Sequence, residues 1–163
     1  MLWLAITSAY AANNAERGFQ KMQNLAGEWQ GSDQSGNPVT SSFKLVVSGT
    51  ALLETLTLSG MHEMLTVYSV DKNAIALLHY CPTNNQPVMR AIPPESDIKE
   101  LVFEFQGAGN LPSMDVGHEH KLVLQFEDPD HLTERWTWRQ NGQDSEMIYR
   151  LIRKPIRGQK SYR

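Results

Sequence analysis

Short alternating segments separated by turn residues constrain this chain more than any other feature. From Gly27 onward, the runs Asp33-Gln34-Ser35-Gly36-Asn37-Pro38, Ser48-Gly49, Ser59-Gly60, Asp71-Lys72-Asn73, Pro93-Pro94-Glu95-Ser96-Asp97, Asp128-Pro129-Asp130 and Asn141-Gly142 punctuate the sequence. They fall about every ten to twelve residues, the spacing of an antiparallel sandwich or barrel. Between them the pattern has period 2 and predicts about ten strands, centred near Trp29, Leu45, Leu56, Val67, Leu77, Met89, Phe103, Leu124, Trp136 and Tyr149. Asn141-Gly142 is the clearest hairpin signal and joins Leu132 to Arg139 with Glu146 to Arg153. No helical pattern recurs between strands, which excludes a parallel α/β sheet. One helix is expected before the strands, over Asn14 to Ala26, with Asn13 or Asn14 as its cap and Gly27 as its stop. The segment Gln106 to Gly117 reads as a long loop, a candidate lid or rim. An up-and-down meander of this kind leaves exposed edges unless it closes, so the fold expected is an all-β, roughly ten-stranded antiparallel up-and-down barrel with a short N-terminal helix.

At 163 residues the chain fits one domain that needs no staples. Leu2, Trp3, Leu4, Ala5 and Ile6 form an apolar run followed by Ala9-Tyr10-Ala11, which reads as the remnant of a secretory signal over residues 1–11. A barrel domain over residues 12–163, periplasmic or secreted, is the expectation. No other stretch is long enough to span a membrane. A net charge of −3 and the lack of a basic cluster interleaved with aromatics argue against nucleic acid. Phosphate loops, dinucleotide fingerprints and nucleophile elbows are absent from the sequence. The single cysteine, Cys81, cannot form an internal disulfide.

Histidines carry the chemical interest. In an extended chain His118 and His120 share a face with Leu122, Leu124 and Phe126, and His79 shares one with Ile75, Leu77 and Cys81. The pattern thus brings imidazoles into an apolar interior, where they need partners. The expected site is an internal cavity lined by Leu56, Leu77, Met89, Leu122, Leu124, Phe126 and Trp136, with Tyr68, His79, His118 and His120 as its polar end. Its occupant would be a small, hydrophobic molecule. An alternative uses His79, Cys81, His118 and His120 as nitrogen and sulfur ligands for zinc or copper, or one histidine with Met64, Met89 and Met114 around a haem. Catalysis has thinner support. Cys81 beside His79 lacks an orienting third group, and Glu134, on a face with Trp136 and Trp138, reads as solvated. A monomer or homodimer is expected.

The segment Leu25-Ala26-Gly27-Glu28-Trp29-Gln30-Gly31 resembles the Gly-x-Trp entry of the calycin superfamily of lipocalins, fatty-acid-binding proteins and related barrels. That resemblance implies that Trp29 closes the barrel floor and that Arg150 or Arg153, from the last strand, covers it. Thr66-Val67-Tyr68, His79-Tyr80-Cys81, Asn85-Gln86-Pro87, His118-Glu119-His120 and Trp136-Thr137-Trp138 together are similar to bacterial, often exported, lipocalin-like domains of uncharacterised function. This second likeness implies a fold and brings no activity with it.

Overall fold

The computed structural model describes residues 13–155. The leader expected over residues 1–11 lies outside them. Helix α1 (Asn14–Gln23) precedes ten strands: β1 (Gly27–Asp33), β2 (Pro38–Val46), β3 (Ala51–Leu58), β4 (Met64–Asp71), β5 (Ala74–Tyr80), β6 (Gln86–Ala91), β7 (Glu100–Gly109), β8 (His118–Asp128), β9 (His131–Gln140) and β10 (Gln143–Arg153). Each pairs antiparallel with its sequence neighbours, and β1 pairs with β10, so the sheet closes on itself. Closure leaves no strand edge to template association. Every predicted strand centre falls inside its strand. Among the described residues, no helix is long and apolar enough to cross a membrane.

Alternation does the sorting. Leu52, Glu54 and Leu56 on β3, Met64, Thr66 and Tyr68 on β4, and Leu132, Glu134 and Trp136 on β9 are all buried, and residues opposite one another in the ladder share a face. Trp29, Trp136, Tyr68, Phe103, Leu52, Leu56, Ile75, Leu77, Met89, Leu101 and Leu122 are among the largest fully buried side chains. They fill the barrel with rigid apolar volume.

At one end α1 lies across the opening. Asn13 caps it reciprocally: its side chain accepts from the Glu16 amide at 2.9 Å, and the Glu16 carboxylate accepts from the Asn13 amide at 2.9 Å. Ala15, Phe19 and Met22 face the barrel. The helix stops at Gln23, short of the Gly27 expected, and its last carbonyls, those of Lys21, Met22 and Gln23, accept in tight turns from the Asn24, Leu25 and Ala26 amides, after which the chain leaves the helix. Trp29 Nε1 donates to Leu25 O at 2.8 Å, while Arg153 donates to Asn24 O at 2.6 Å and Ala26 O at 2.9 Å. The Arg153 guanidinium also lies 4.3 Å from the Trp29 ring centre. Of the two arginines expected there, Arg153 takes the place; Arg150, paired to Ser32 and Thr133, is exposed.

The opposite end carries the β5–β6 turn, the β7–β8 loop and the β9–β10 hairpin. The loop is shorter than expected, because β7 runs on to Gly109 and pairs Gly107–Gly109 with Gln86–Val88 across a bulge. Asn85 Nδ2 donates to Gly117 O at 2.9 Å and Asn110 Nδ2 to Asn84 O at 2.7 Å, which ties the loop to the turn. Gly117 is required here: a Cβ on it would stand 2.1 Å from the Trp138 ring.

Candidate functional site

Strand β8 does not alternate cleanly. Its pairing to β9 shifts between Glu119 and Lys121, so that Glu119 stands opposite Trp138 while Leu122 stands opposite Trp136. The extra residue is His120, and a bulge of this kind re-aims the side chains around it. His118 is buried, His120 is half-buried, and Glu119, expected to face away, is only 5 % exposed.

The two imidazoles of β8 form a fully spent chain. His118 Nδ1 lies 2.7 Å from Val116 O; a carbonyl only accepts, so that nitrogen carries the proton. Its Nε2 therefore accepts from His120 Nδ1 at 3.1 Å, and His120 Nε2 accepts from Arg139 Nη1 at 2.6 Å. Asp144 holds Arg139 through Nε at 2.6 Å and Nη2 at 2.8 Å. Phe105 stacks near both rings, 4.9 Å from each. Burial, followed by the positive Arg139 beside it and by His118, lowers the His120 pKa.

Each ring thus has its lone pair committed. Cys81 is half-buried at a strand end, and among the described residues no group of three or more His, Cys, Asp or Glu side chains is placed to hold a metal ion. His79, Cys81, His118 and His120 do not form a ligand set in this arrangement. Met114 is exposed in the β7–β8 loop, apart from the buried Met64 and Met89.

His79 belongs to a second network, deeper in the barrel. Its Nδ1 lies 2.9 Å from Thr66 Oγ1, and its ring packs at 4.8 Å on Trp136. Tyr68 donates to Glu54 Oε2 at 2.7 Å, and Ser41 donates to Glu54 Oε1 at 2.9 Å. Burial pushes the His79 pKa down to about 4, so the ring is neutral at pH 7.

Glu54 meets a second carboxyl. Glu134 is fully buried beside Glu54, and its Oε2 accepts from Trp136 Nε1 at 3.1 Å. The solvated position expected for Glu134 is therefore corrected: it lies inside with Leu132 and Trp136, and Arg135 and Arg139 take the other face. Burial first, and then the charge on Glu54, raises the Glu134 pKa well above the ordinary carboxyl value; burial raises that of Glu54 as well, opposed by the adjacent Glu134 carboxyl and by its hydrogen bonds to Tyr68 and Ser41. Of the two, Glu134 holds a proton the more strongly, because Glu54 already accepts from two hydroxyls.

Four buried polar atoms have no protein partner among the described residues: His79 Nε2, Asn85 Oδ1, Glu119 Oε2 and Glu134 Oε1. His79, Asn85 and Glu119 lie at the end of the barrel away from α1, and Glu134 lies below them, joined to His79 through Trp136. Each such group left unmatched costs about 1–3 kcal/mol.

The expected lining is thus brought together in part. Tyr68, Leu77, His79, Met89, His118, Leu122 and Trp136 are buried in one barrel, together with Leu56 and Leu124. Phe126 is half-buried at the far end, beside α1, where it borders a surface cleft of about 670 Å³ with Lys21, Ile98 and Arg153. Sequence reasoning missed Glu54, Glu119, Thr66 and Asn85. Glu54 and Thr66 were within reach of it, since each sits between apolar residues on the buried face of its strand; Glu119 was not, because only the bulge turns it inward. No family model and no curated protein sequence matches the chain.

Proposed function

We propose that this chain is a lipocalin-like protein of calycin type that binds a small molecule at the barrel end opposite α1. The carrying observation is the set of unmatched buried polar atoms there, on β5, the β5–β6 turn and β8. Folding leaves such groups without partners only at a cost, and a ligand that bonds to them recovers it. The half-buried rings of Phe105 and Trp138 at this end, above the packed interior, suit an apolar body carrying a few polar groups. Entry requires the β5–β6 turn and the β7–β8 loop to part, which breaks the two asparagine ties, Asn85 to Gly117 and Asn110 to Asn84.

Mass spectrometry of small molecules released when the untagged protein is denatured tests this reading. One species in near-stoichiometric amount is expected. No released species, combined with no thermal shift across a broad library of small molecules, counts against it.

A further inference from the structure

Two of the atoms left unmatched at this end, on Asn85 and Glu119, have one chemical sense. Asn85 spends its amide N–H on Gly117, so its free atom is a carbonyl oxygen. Glu119 offers a carboxyl oxygen beside it. These are acceptors seeking donors. Charge points the same way. Three carboxyl groups, those of Glu54, Glu119 and Glu134, are buried, and no described lysine or arginine is. Arg139, the nearest guanidinium to the mouth, is already held by Asp144 and His120.

The mouth has a matching shape. A cleft of about 250 Å³ lies against Trp138, Gln140, Asn141, Gln143, Asp144 and Ser145. Of these, Trp138, Gln140, Gln143 and Ser145 pair across the hairpin on the face that continues the barrel interior. Trp138 stands directly opposite Glu119 in the ladder. An aromatic face beside a carboxyl that lacks a cationic partner is the surrounding an ammonium group favours.

We propose that the molecule bound at this end is a small organic cation, an amine carried as its ammonium, with its N–H donors on Glu119 and Asn85 and its apolar body against Trp138 and Trp136. This rests on the binding reading above and narrows it. Glu119 gives up its proton and takes the charge against the ammonium, and the paired carboxyls behind it repel an anion. A carboxylate ligand would add a fourth acid to an interior with no base.

Three probes of one shape separate the possibilities: 2-phenylethylamine, 2-phenylethanol and 3-phenylpropanoate, titrated into the whole protein at pH 7 by calorimetry and tryptophan fluorescence. The amine is expected to bind at least about tenfold more tightly than the anion. Glu119→Gln is expected to weaken the amine by about tenfold while leaving the alcohol within about twofold. The ranking is read on the unmodified chain, so it stands whether or not the variant folds. An anion or alcohol that binds as well as the amine overturns the assignment and leaves the binding reading intact. Amine affinity unchanged in Glu119→Gln also overturns it. Binding by none of the three up to millimolar concentration overturns both.

Discussion

At the scale of single residues, the paired carboxyls of Glu54 and Glu134 set the terms for the interior. Glu54 accepts from Ser41 and Tyr68 and must be an acceptor on both oxygens, whereas Glu134 holds a proton the more strongly. The two should therefore respond differently to the same substitution. Glu134→Gln keeps a neutral group beside Glu54 and should leave stability within about 1 kcal/mol at pH 7. Glu54→Gln turns one acceptor into a donor facing a hydroxyl, and should cost about 1–3 kcal/mol in urea unfolding. Equal losses from the two would contradict this placement of the proton. Glu119 bears on pH dependence. Burial raises its pKa from 4.5 to about 8, so the folded chain holds a proton there that the unfolded chain has lost. Its contribution is complete below pH 4.5 and is lost as pH rises through about 8, at a slope of up to about 1.4 kcal/mol per unit. His79 has the opposite sign: lowered from 6.5 to about 4, it contributes fully above 6.5 and loses that contribution as pH falls through about 4. Glu119→Gln should flatten the alkaline decline of stability between those limits and leave the acid limb in place. An unchanged alkaline slope, measured by denaturant unfolding across pH, would show that Glu119 does not carry that proton.

At the scale of elements, alternation and turn chemistry made the ten strands and the last hairpin readable from the residues alone. Asn141 and Gly142 both adopt positive φ, 50° and 70°, the pairing a tight two-residue turn demands. Gly142→Ala should cost about 1 kcal/mol in thermal or chemical unfolding, with no change in the Glu54 network. A neutral result would mean the hairpin register is set elsewhere. What resisted reading were the places where strict period 2 fails. The bulge in β8 at His120 exchanges Glu119 for a histidine on the inner face, and no residue type nearby announces it. The C-terminus of α1 is hard to place for a related reason: the carbonyls of Asn24, Leu25 and Ala26, just past it, are held by Trp29 and by Arg153, which is more than a hundred residues away in the chain. Local patterns report local bonds. The buried carboxyls lay between these cases, since phase placed Glu54 and Glu134 inside while their charge argued for the outside.

At the scale of the whole molecule, Arg153 joins the ends of the meander. It stacks on Trp29 from the first strand, holds the carbonyls that end α1, bonds Pro129 O in the β8–β9 turn at 3.1 Å and pairs with Asp130 at 3.3 Å. Arg153→Ala should lower stability by about 1–3 kcal/mol and alter Trp29 fluorescence, while Arg150→Ala should stay within about 0.5 kcal/mol. The α1 end is fastened by Arg153 together with Arg17, Gln23 and Asn13, which donate to Glu95 O, Gly49 O and Lys72 O, and the other end by asparagine ties between a turn and a loop. It is at this second end that the unmatched buried polar atoms of His79, Asn85 and Glu119 lie. The most direct test is a high-resolution crystal structure of the protein soaked with 2-phenylethylamine. The account predicts the ammonium nitrogen within about 3 Å of Glu119 Oε2, with the ring against Trp138. A mouth in which ordered water alone bridges Glu119, Asn85 and His79, with no amine density at saturating probe, would contradict it.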